Sequence, residues 1–526
     1  MQNDRYLGAS ELRKSSGPSL FLVRNLRYAR FRTGLFAIVL AFSCGLPLRT
    51  LAQPRKDFPV KAFHLDLRIQ VMTLPALKSF AEKLHAGGIN TLIMEYEATY
   101  PFTKHPLIPN RFAYTKEEIV SFIAFCKSLD IDVIPLQQSF GHVEYILRHD
   151  RYKQLREDDK ALSQICPLRV REDSLLFTEL YTDLSQTHPS PYIHIGCDET
   201  YLLGHCERCR KKVREEGISK LYIDYVSMLC NIVLKLGKKP VLWADMVLKY
   251  PEAVNRLPKG TILVDWNYGW SLDYFGDHQK LLASGYSIWG APAIRSSPDN
   301  FYQTKWARHF DNIRDFVPAC RKMGYQGMVL TSWSTSGAYS YTYESEDELS
   351  DLQAIRHVYP ITGFNILIDA YIQSLKTPAP LDIPGFIDTY CREQYGFDHD
   401  QSLVFWNALT DTGVAAAKTL RILHPQKNPA EYEHYLLMAD IRAQHLLFER
   451  IEAEANAPGF TPDAAPALAA RLYSLLEQDV DIARRFTALN KDAFYPAELE
   501  QENKLRIFRI RDLYTRLNKI RNDNPH

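Results

Sequence analysis

Two adjacent carboxylates, Asp198 and Glu199, follow a short apolar run in the stretch PYIHIGCDETYLLGHC, Pro191 to Cys206. Acids that stand side by side at the end of a predicted buried strand have two interpretations. They can belong to a solvated turn, or they can form a pair that performs general acid and base chemistry at the open end of a barrel. The residues at comparable positions elsewhere in the chain help to distinguish the two.

Acids, amides and aromatic residues also follow the other apolar runs of the chain. These candidates are Asp66, Arg68, Glu95, Tyr96, Glu97, Gln138, His142, Glu144, Trp243, Asp245, Asp265, Trp266, Tyr268, Trp289 and Trp333. Four of the seven tryptophans belong to this set. Indole rings can stack on the apolar faces of sugars, and acids and arginine can hydrogen-bond to sugar hydroxyls. Each tryptophan alone is more typical of a core, but four of them beside paired acids predict a carbohydrate site.

Two histidines near these positions have different interpretations. His194 lies inside a predicted strand, which is typical of a buried, hydrogen-bonded structural histidine. His142 follows a glycine in a predicted loop, where a site role and a structural role are equally open. The sequence contains no G-x-S-x-G elbow, so a Ser-His-Asp triad is not expected.

The elements that must position these residues are eight apolar runs that alternate with amphipathic stretches, as in repeated βα units. The predicted strands are Ala62 to Leu67, Asn90 to Tyr96, Ile131 to Leu136, Tyr192 to Gly196, Pro240 to Ala244, Thr261 to Trp266, Tyr286 to Gly290 and Gly327 to Trp333. The pattern predicts an α/β fold, a (β/α)8 TIM barrel, whose active sites lie at the C-terminal ends of the strands. A doubly wound open sheet is the alternative, but no glycine-rich phosphate fingerprint follows the first strand.

The chain divides into three predicted parts: an export segment over residues 1–52, a catalytic barrel over 60–376 and an α-helical domain over 384–526. Arginines precede the apolar run Leu35 to Leu48, which leads to the small residue Ala52, as in a secretory signal. A periplasmic or extracellular location is therefore expected. Fourteen apolar residues are few for a membrane span, so stable membrane insertion is not expected, although an uncleaved anchor remains an alternative.

Charge and cysteine content limit the possible partners. The 63 Lys and Arg residues balance 62 Asp and Glu residues, which argues against nucleic acid as a partner. Cys206 and Cys209 form a C-x-x-C pair, but a zinc site normally needs four ligands, and no second such cluster stands in the sequence. The pair is therefore interpreted as a local structural one, bonded or free, and neither a metal nor a cofactor is expected.

The stretch HIGCDE, His194 to Glu199, resembles the H-x-G-x-D-E motif of glycoside hydrolase family 20, the β-N-acetylhexosaminidases. Shorter segments are also similar, namely HLDL at His64, IMEYE at Ile93, SFGHVEYILRH at Ser139, LWADM at Leu242, LTSW at Leu330 and AFYP at Ala493. The resemblance implies exo-acting, retaining hydrolysis of N-acetylhexosamine-containing glycans. The substrate's own 2-acetamido oxygen would act as the nucleophile, an exception to the scheme with two carboxylates.

The resemblance also implies roles for individual residues. Glu199 would be the general acid, and Asp198 would orient the acetamido group and stabilise the oxazolinium intermediate. The implied sugar-binding residues are Arg68, His142, Trp243, Trp266, Tyr268 and Trp333, to which the strand-end pattern adds Glu97 and Trp289. This sequence departs from the family pattern at three places. Arg68 stands one residue nearer to Asp66, Trp333-Ser334-Thr335 lacks the acid of W-x-E, and WGAPAIR replaces the expected Tyr-x-Asp.

Two further hypotheses belong to other classes. One is a secreted carbohydrate-binding protein that has lost its activity. The other is a retaining glycosidase that uses Glu199 with a protein nucleophile, either Glu97 or Asp245.

Overall fold

The computed structural model describes residues 57–523, apart from residue 69 and residues 297–298, 300–301, 334–338, 342–351 and 355–357. The predicted export segment lies outside the described residues. The described chain alternates strands and helices up to about residue 330 and is helical after residue 360.

Eight parallel strands form a closed barrel, which confirms the predicted fold class. The strands are β1 (Val60–Asp66), β2 (Thr91–Glu95), β3 (Asp132–Leu136), β6 (Tyr192–His194), β7 (Lys239–Trp243), β8 (Ile262–Trp266), β9 (Ser287–Ala291) and β11 (Gly327–Ser332). Each pairs with the next in this order, and β1 pairs with β11 to close the barrel. Every strand lies within two residues of its predicted bounds at each end. Eight apolar runs separated by helical patterns leave little choice of where each strand begins and ends.

Helices connect most of the barrel strands. They are α1 (Leu74–Gly87), α2 (Lys116–Ser128), α3 (Glu144–Leu147), α4 (Val170–Thr187), α5 (Glu207–Glu216), α6 (Ile218–Lys235), α7 (Asp245–Lys249), α8 (His278–Ala283) and α9 (Trp306–Met323). Gly88 ends α1 in the left-handed conformation, with φ 87°. Thr115 and Glu118 form a capping box at the start of α2.

Three short strand pairings lie outside the regular barrel pattern. The hairpin β4 (Arg156–Asp158) and β5 (Ala161–Ile165) interrupts the connection between β3 and α4. The strand β10 (Ala293–Arg295) extends the sheet beside β11. The hairpin β12 (Tyr339–Tyr341) and β13 (Leu352–Ala354) follows the last barrel strand.

The C-terminal region consists of helices. They are α10 (Asn365–Lys376), α11 (Ile383–Tyr395), α12 (His399–Thr410), α13 (Ala415–Ile422), α14 (Pro429–Ala455), α15 (Ala465–Asn490) and α16 (Pro496–Asp523). One hydrophobic cluster runs from barrel residues such as Phe63 and Phe310 into helical residues such as Phe386 and Tyr435. A domain boundary near residue 380 stays a prediction.

Among the described residues, no single helix is both long and apolar enough to cross a membrane. The helices α5 and α6, bent by 110° relative to each other, meet that criterion only as a pair.

Candidate active site

A cavity of about 240 Å³ opens where the C-terminal ends of the barrel strands meet. Its lining residues are Arg68, His142, Asp198, Glu199, Tyr201, Trp266, Tyr268, Trp270, Tyr274, Phe275, Ser296 and Trp333. Loops that follow six different strands contribute to this set, as expected for a barrel whose strands all point the same way. Seven of the ten residues predicted for the site therefore reach one cavity.

The loop after β6 positions the two adjacent acids. Cys197 and Glu199 both have left-handed backbones, with φ 73° and 49°, a conformation that is uncommon outside glycine. The backbone N–H of Glu199 donates to Asp245 Oδ2 at 3.0 Å. The side chain of Asp198 is 8% exposed and that of Glu199 is 30% exposed. The strained loop thus gives neighbouring residues of similar chemistry two different environments.

His142 joins the two acids electrostatically. Its Nε2 lies 3.1 Å from Glu199 Oε2 and 3.5 Å from Asp198 Oδ2. Burial alone would disfavour the imidazolium, but the charges and hydrogen bonds of Asp198 and Glu199 raise the pKa of His142 well above its usual value. The two carboxylates therefore favour the protonated, positively charged form of His142.

Asp245, which follows β7, supports the catalytic loop from outside the cavity lining. Its Oδ2 accepts the Glu199 backbone N–H, and its Oδ1 accepts the Trp266 indole N–H at 3.3 Å. Burial, followed by the negative charge of Asp198, raises the pKa of Asp245 to about 8. A buried carboxyl in this position holds a loop and a wall residue in one arrangement.

Arg68 lies at the cavity edge, where its guanidinium is paired with Asp66. Its guanidinium makes a bidentate pair with Asp66, with Nη2 to Oδ2 at 2.7 Å, and its Nε lies 3.9 Å from Glu95 Oε1. The guanidinium also lies over the Trp333 ring, 5.4 Å from its centroid. The one-residue-shorter spacing from Asp66 thus still places Arg68 in the cavity.

Aromatic residues form a wall of the same cavity. Trp266 and Tyr268 stack with centroids 4.9 Å apart, and the Trp333 indole N–H donates to the Tyr268 hydroxyl. Trp270 and Tyr274, which the sequence analysis missed, stack at 5.0 Å and line the same cavity. They stand in a loop after β8, and the aromatic-rich segment WNYGWSLDYF was the available signal.

Three predicted site residues do not line the cavity. Trp243 is fully buried in the barrel interior, where it packs on His194 at 4.4 Å and on Trp333 at 5.4 Å. Trp289 also points into the interior, packed against Tyr192 and close to Gly327. It pairs with Val264, two residues before the cavity residue Trp266, and so lies below the cavity. Glu97 is 1% exposed, has φ 46°, and acts on the cavity through its charge near Arg68.

His194 has the structural position predicted for it. The side chain is fully buried, its Nδ1 accepts the Gly196 backbone N–H at 3.1 Å, and its ring packs on Trp243. Burial and the neighbouring His64 lower the pKa of His194 well below its usual value. The neutral form of His194 is therefore favoured, and its contacts stabilise the end of β6, just before the two acids.

Within the described part of the chain, two groups of residues have ligand atoms close enough to hold a metal ion. In the cavity, the ligand atoms of His142, Asp198 and Glu199 lie within 4.8 Å of one another, although their ion pairing already accounts for that arrangement. The second group lies outside the cavity lining and combines Glu157, Cys166, Cys206 and Cys209.

Paired acids beside an aromatic wall, at the C-terminal end of a (β/α)8 barrel, define a glycoside hydrolase. A profile of the glycosyl hydrolase family 20 catalytic domain matches residues 67–345, just over half of the chain. The chain belongs to glycosyl hydrolase family 20, which confirms the resemblance inferred from HIGCDE.

Individual proteins are also similar to parts of the chain. Hexosaminidase D of Bos taurus is 29% identical over 306 residues, which cover 54% of this chain and 87% of the bovine protein. Hexosaminidase D of Homo sapiens is 28% identical over 307 residues, which cover 55% of this chain and 62% of the human protein. The crystal structure of β-N-acetylhexosaminidase from Bacteroides fragilis is 15% identical with a TM-score of 0.48, over 64% of this chain and 70% of that one.

Proposed function

We propose that the protein is an exo-acting β-N-acetylhexosaminidase that removes terminal N-acetylhexosamine residues from glycans with retention of anomeric configuration. The observation that carries the proposal is the pair Asp198 and Glu199 on one aromatic-walled cavity. They are the only carboxylates among the described lining residues. With Glu199 as the acid and Asp198 holding the acetamido group, no described lining carboxylate is left to act as the nucleophile, and the 2-acetamido group of the substrate can supply it.

Glu199 is suited to be the general acid and base. Its side chain is the more exposed of the two, so it can reach the glycosidic oxygen and, later, a water molecule. The Tyr201 hydroxyl donates to Glu199 Oε1 at 3.0 Å, and His142 lies beside Oε2. These partners hold the carboxyl in one orientation through both proton transfers.

Asp198 is suited to hold the acetamido N–H and to stabilise the positive charge of an oxazolinium intermediate. It is largely buried, and its Oδ1 has no hydrogen-bond partner among the described residues. A buried carboxylate oxygen without a donor is costly, so a donor on the substrate would gain free energy there. The low exposure of this carboxylate also strengthens its attraction to a nearby cation.

The aromatic wall can bind the sugar ring and the acetamido carbonyl. Trp266 and Trp333 offer ring faces, and Tyr268 has a hydroxyl that accepts from Trp333 and can donate its own proton. Trp243, which is buried in the barrel interior, supports this wall by packing on Trp333 at 5.4 Å.

The hypothesis of a protein nucleophile has less support. Glu97 and Asp245 were the candidates, and neither lines the cavity. Asp245 is engaged by the Glu199 backbone and by Trp266, and Glu97 is 1% exposed. A retaining glycosidase with a carboxylate nucleophile has its two carboxyl groups about 5–5.5 Å apart on opposite sides of the scissile bond.

The decisive experiment compares aryl β-N-acetylglucosaminide, aryl β-N-acetylgalactosaminide and the matching plain glucoside on purified protein. We expect hydrolysis of the acetamido substrates, retention of configuration by NMR, and inhibition by a cyclic thiazoline that mimics the intermediate. Equal rates with and without the acetamido group would establish a protein nucleophile instead. Binding of N-acetylglucosamine without turnover of any substrate would establish the carbohydrate-binding hypothesis.

We also propose that the protein is exported. The proposal rests on the arginines before the apolar run Leu35 to Leu48 and on Ala52, which together have the order of a secretory signal. N-terminal sequencing of the protein from its natural host should then give a chain that begins near Gln53. An intact N-terminus on cytosolic protein would contradict it.

A further inference from the structure

Three cysteines and one glutamate converge beside the catalytic loop although they come from separate parts of the sequence. Glu157 lies in β4, Cys166 follows β5, Cys206 is the N-cap of α5, and Cys209 lies in the first turn of that helix. One ligand atom from each of the four lies within 4.8 Å of those from the other three. Cys166, Cys209 and Glu157 are at most 2% exposed, and Cys206 is half-buried.

The distances in this cluster match the edges of a tetrahedral zinc site. Cys166 Sγ lies 3.7 Å from Cys206 Sγ and 3.6 Å from Cys209 Sγ. Four ligands about 2.3 Å from a zinc ion are separated by roughly 3.8 Å along each tetrahedral edge. The contact from Cys209 Sγ to Glu157 Oε2 is 3.3 Å, shorter as expected when oxygen, bound to zinc at about 2.0–2.2 Å, replaces sulfur.

The cluster does not have the geometry of a disulfide. Sulfur atoms in a disulfide are about 2.05 Å apart, and the three thiols here are free. The thiols form a triangle, not a pair, so a disulfide between any two would leave the third buried beside Glu157.

Hydrogen bonds around the cluster orient its ligand atoms. Glu157 Oε1 accepts the Cys206 backbone N–H at 2.9 Å, which turns Oε2 toward the sulfurs. The Cys209 backbone N–H donates to Cys206 Sγ at 3.4 Å. Partners of this kind fix metal ligands in other proteins.

We propose that Glu157, Cys166, Cys206 and Cys209 bind one zinc ion as a structural site. The C-x-x-C pair alone did not predict it, because the other two ligands stand singly in the sequence, 40 and 49 residues before Cys206.

The site ties together the two loops that carry the catalytic residues. The hairpin β4–β5 holds two of the ligands, and its Gln164 accepts the Leu202 backbone N–H at 2.8 Å, three residues after Glu199. The same hairpin bonds to the His142 loop, through Ile165 N to Phe140 O at 3.1 Å and a bridge between Gly141 and Gln164. Bound zinc therefore restrains the positions of His142 and Glu199 without touching the cavity.

The test is metal analysis of the full-length protein, purified without chelator from zinc-supplemented medium. We expect about one zinc per chain, retained through gel filtration, and release of that zinc when the thiols are titrated with an organomercurial. Cobalt in place of zinc should give sulfur-to-cobalt charge-transfer absorption, which requires thiolate ligands and does not depend on activity.

Three variants distinguish this site from adventitious binding. Cys209→Ser removes a buried ligand, and Glu157→Gln keeps the shape of the side chain but weakens the bond to the metal. We expect at least a 10-fold loss of zinc affinity for each. Cys391→Ala, which removes a buried thiol in α11, should keep one zinc per chain. Chelation should lower Tm in the parent and in Cys391→Ala, with little further change in Cys209→Ser.

Two results would overturn the proposal. One is parent protein with less than about a tenth of a zinc per chain and no charge-transfer absorption with cobalt. The other is a disulfide among Cys166, Cys206 and Cys209, detected by mass spectrometry of the unreduced protein. Both readouts are independent of hydrolysis, so the zinc site and the proposed glycosidase activity can fail separately.

Discussion

At the scale of single residues, Asp198 and Glu199 show how a backbone conformation separates the roles of two neighbouring acids. The left-handed backbone at Glu199 and the hydrogen bond from its N–H to Asp245 leave Asp198 buried and Glu199 partly exposed. Both side chains are carboxylic acids, so their different environments must determine their different catalytic roles.

Substitution of the two acids should therefore produce different kinetic defects. Glu199→Gln keeps the shape but cannot donate a proton, so substrates with poor leaving groups should lose at least about 10²-fold in kcat/KM, and activated aryl substrates less. Asp198→Asn removes the charge that stabilises the cationic intermediate, so all leaving groups should suffer alike. A series of aryl glycosides with graded leaving-group pKa measures the difference. Parallel losses in both variants would contradict the assigned roles.

His142 should give the protein a pH-dependent catalytic loop. Its folded-state pKa is raised above the usual 6.5, so its contribution to stability is fully present below pH 6.5. That contribution is lost as pH rises through the raised pKa, when the imidazolium becomes neutral and the two carboxylates face each other unshielded. Activity should fall over the same interval.

The variant His142→Gln tests this expectation. Its free energy of unfolding should lie below that of the parent at pH 6, and the difference should shrink as pH increases. The alkaline limb of kcat/KM against pH should move in the variant. A difference in stability that grows with pH would show that His142 is not held as an imidazolium.

At the scale of elements, close backbone contacts between loops set the position of the catalytic pair. A Cβ added at Gly141 would stand 2.4 Å from the backbone oxygen of Asp198. Glycine is needed here because the His142 loop and the Asp198 loop approach each other backbone to backbone. The hairpin β4–β5 then holds both loops from the other side.

Gly141→Ala should therefore displace Asp198 and reduce kcat/KM by about 10²-fold, since small misplacements of catalytic groups have effects of this size. The overpacking should also lower the free energy of unfolding by about 1–3 kcal/mol. Gly459→Ala is the control, because its added Cβ meets nothing within 4 Å. Steady-state kinetics and denaturant unfolding of both variants check the expectation. Normal activity in Gly141→Ala would contradict the proposed close approach.

At the scale of the whole molecule, the connection between α15 and α16 contacts the loop that follows the first barrel strand. Met72 forms an antiparallel bridge with Phe494, and the Thr73 side chain donates to the Asp492 carbonyl at 2.8 Å. Phe494 is 2% exposed. The connection between α15 and α16 therefore supports the loop that begins with Arg68 at the cavity.

These contacts predict that the barrel and the C-terminal helices unfold together. Scanning calorimetry should show one transition, with calorimetric and van't Hoff enthalpies in agreement. Phe494→Ala should lower the stability of that single transition by about 3–5 kcal/mol, as for other buried aromatic residues. Val480→Ala, at a position that is 71% exposed, should change it little. Two separate transitions, with only the later part affected by Phe494→Ala, would contradict this expectation.

The sequence by itself determined the eight strands, to within two residues at each end, and the acid pair. Apolar runs such as Ile262 to Trp266 are long enough to form buried strands. Local hydrogen bonding at Thr115 caps the start of α2, and at Gly88 it caps the end of α1. These signals depend on residues that are close together in the sequence, so they can be recognised without the tertiary structure. The motif HIGCDE then identified the family.

Only the tertiary structure decided which side chains face the cavity. Parallel barrel strands are buried on both faces, so an apolar run does not reveal which alternate residues point inward. An apolar run also does not reveal how deep an inward-pointing residue lies. Trp243 and Trp289 point inward but pair with Val264, two residues before Trp266, and so lie below the cavity. Trp270 and Tyr274 reach the cavity from a loop without periodicity. Chain folding also brings Glu157 and Cys166 to the C-x-x-C pair of Cys206 and Cys209, although the spacing of these two residues from the pair follows no motif.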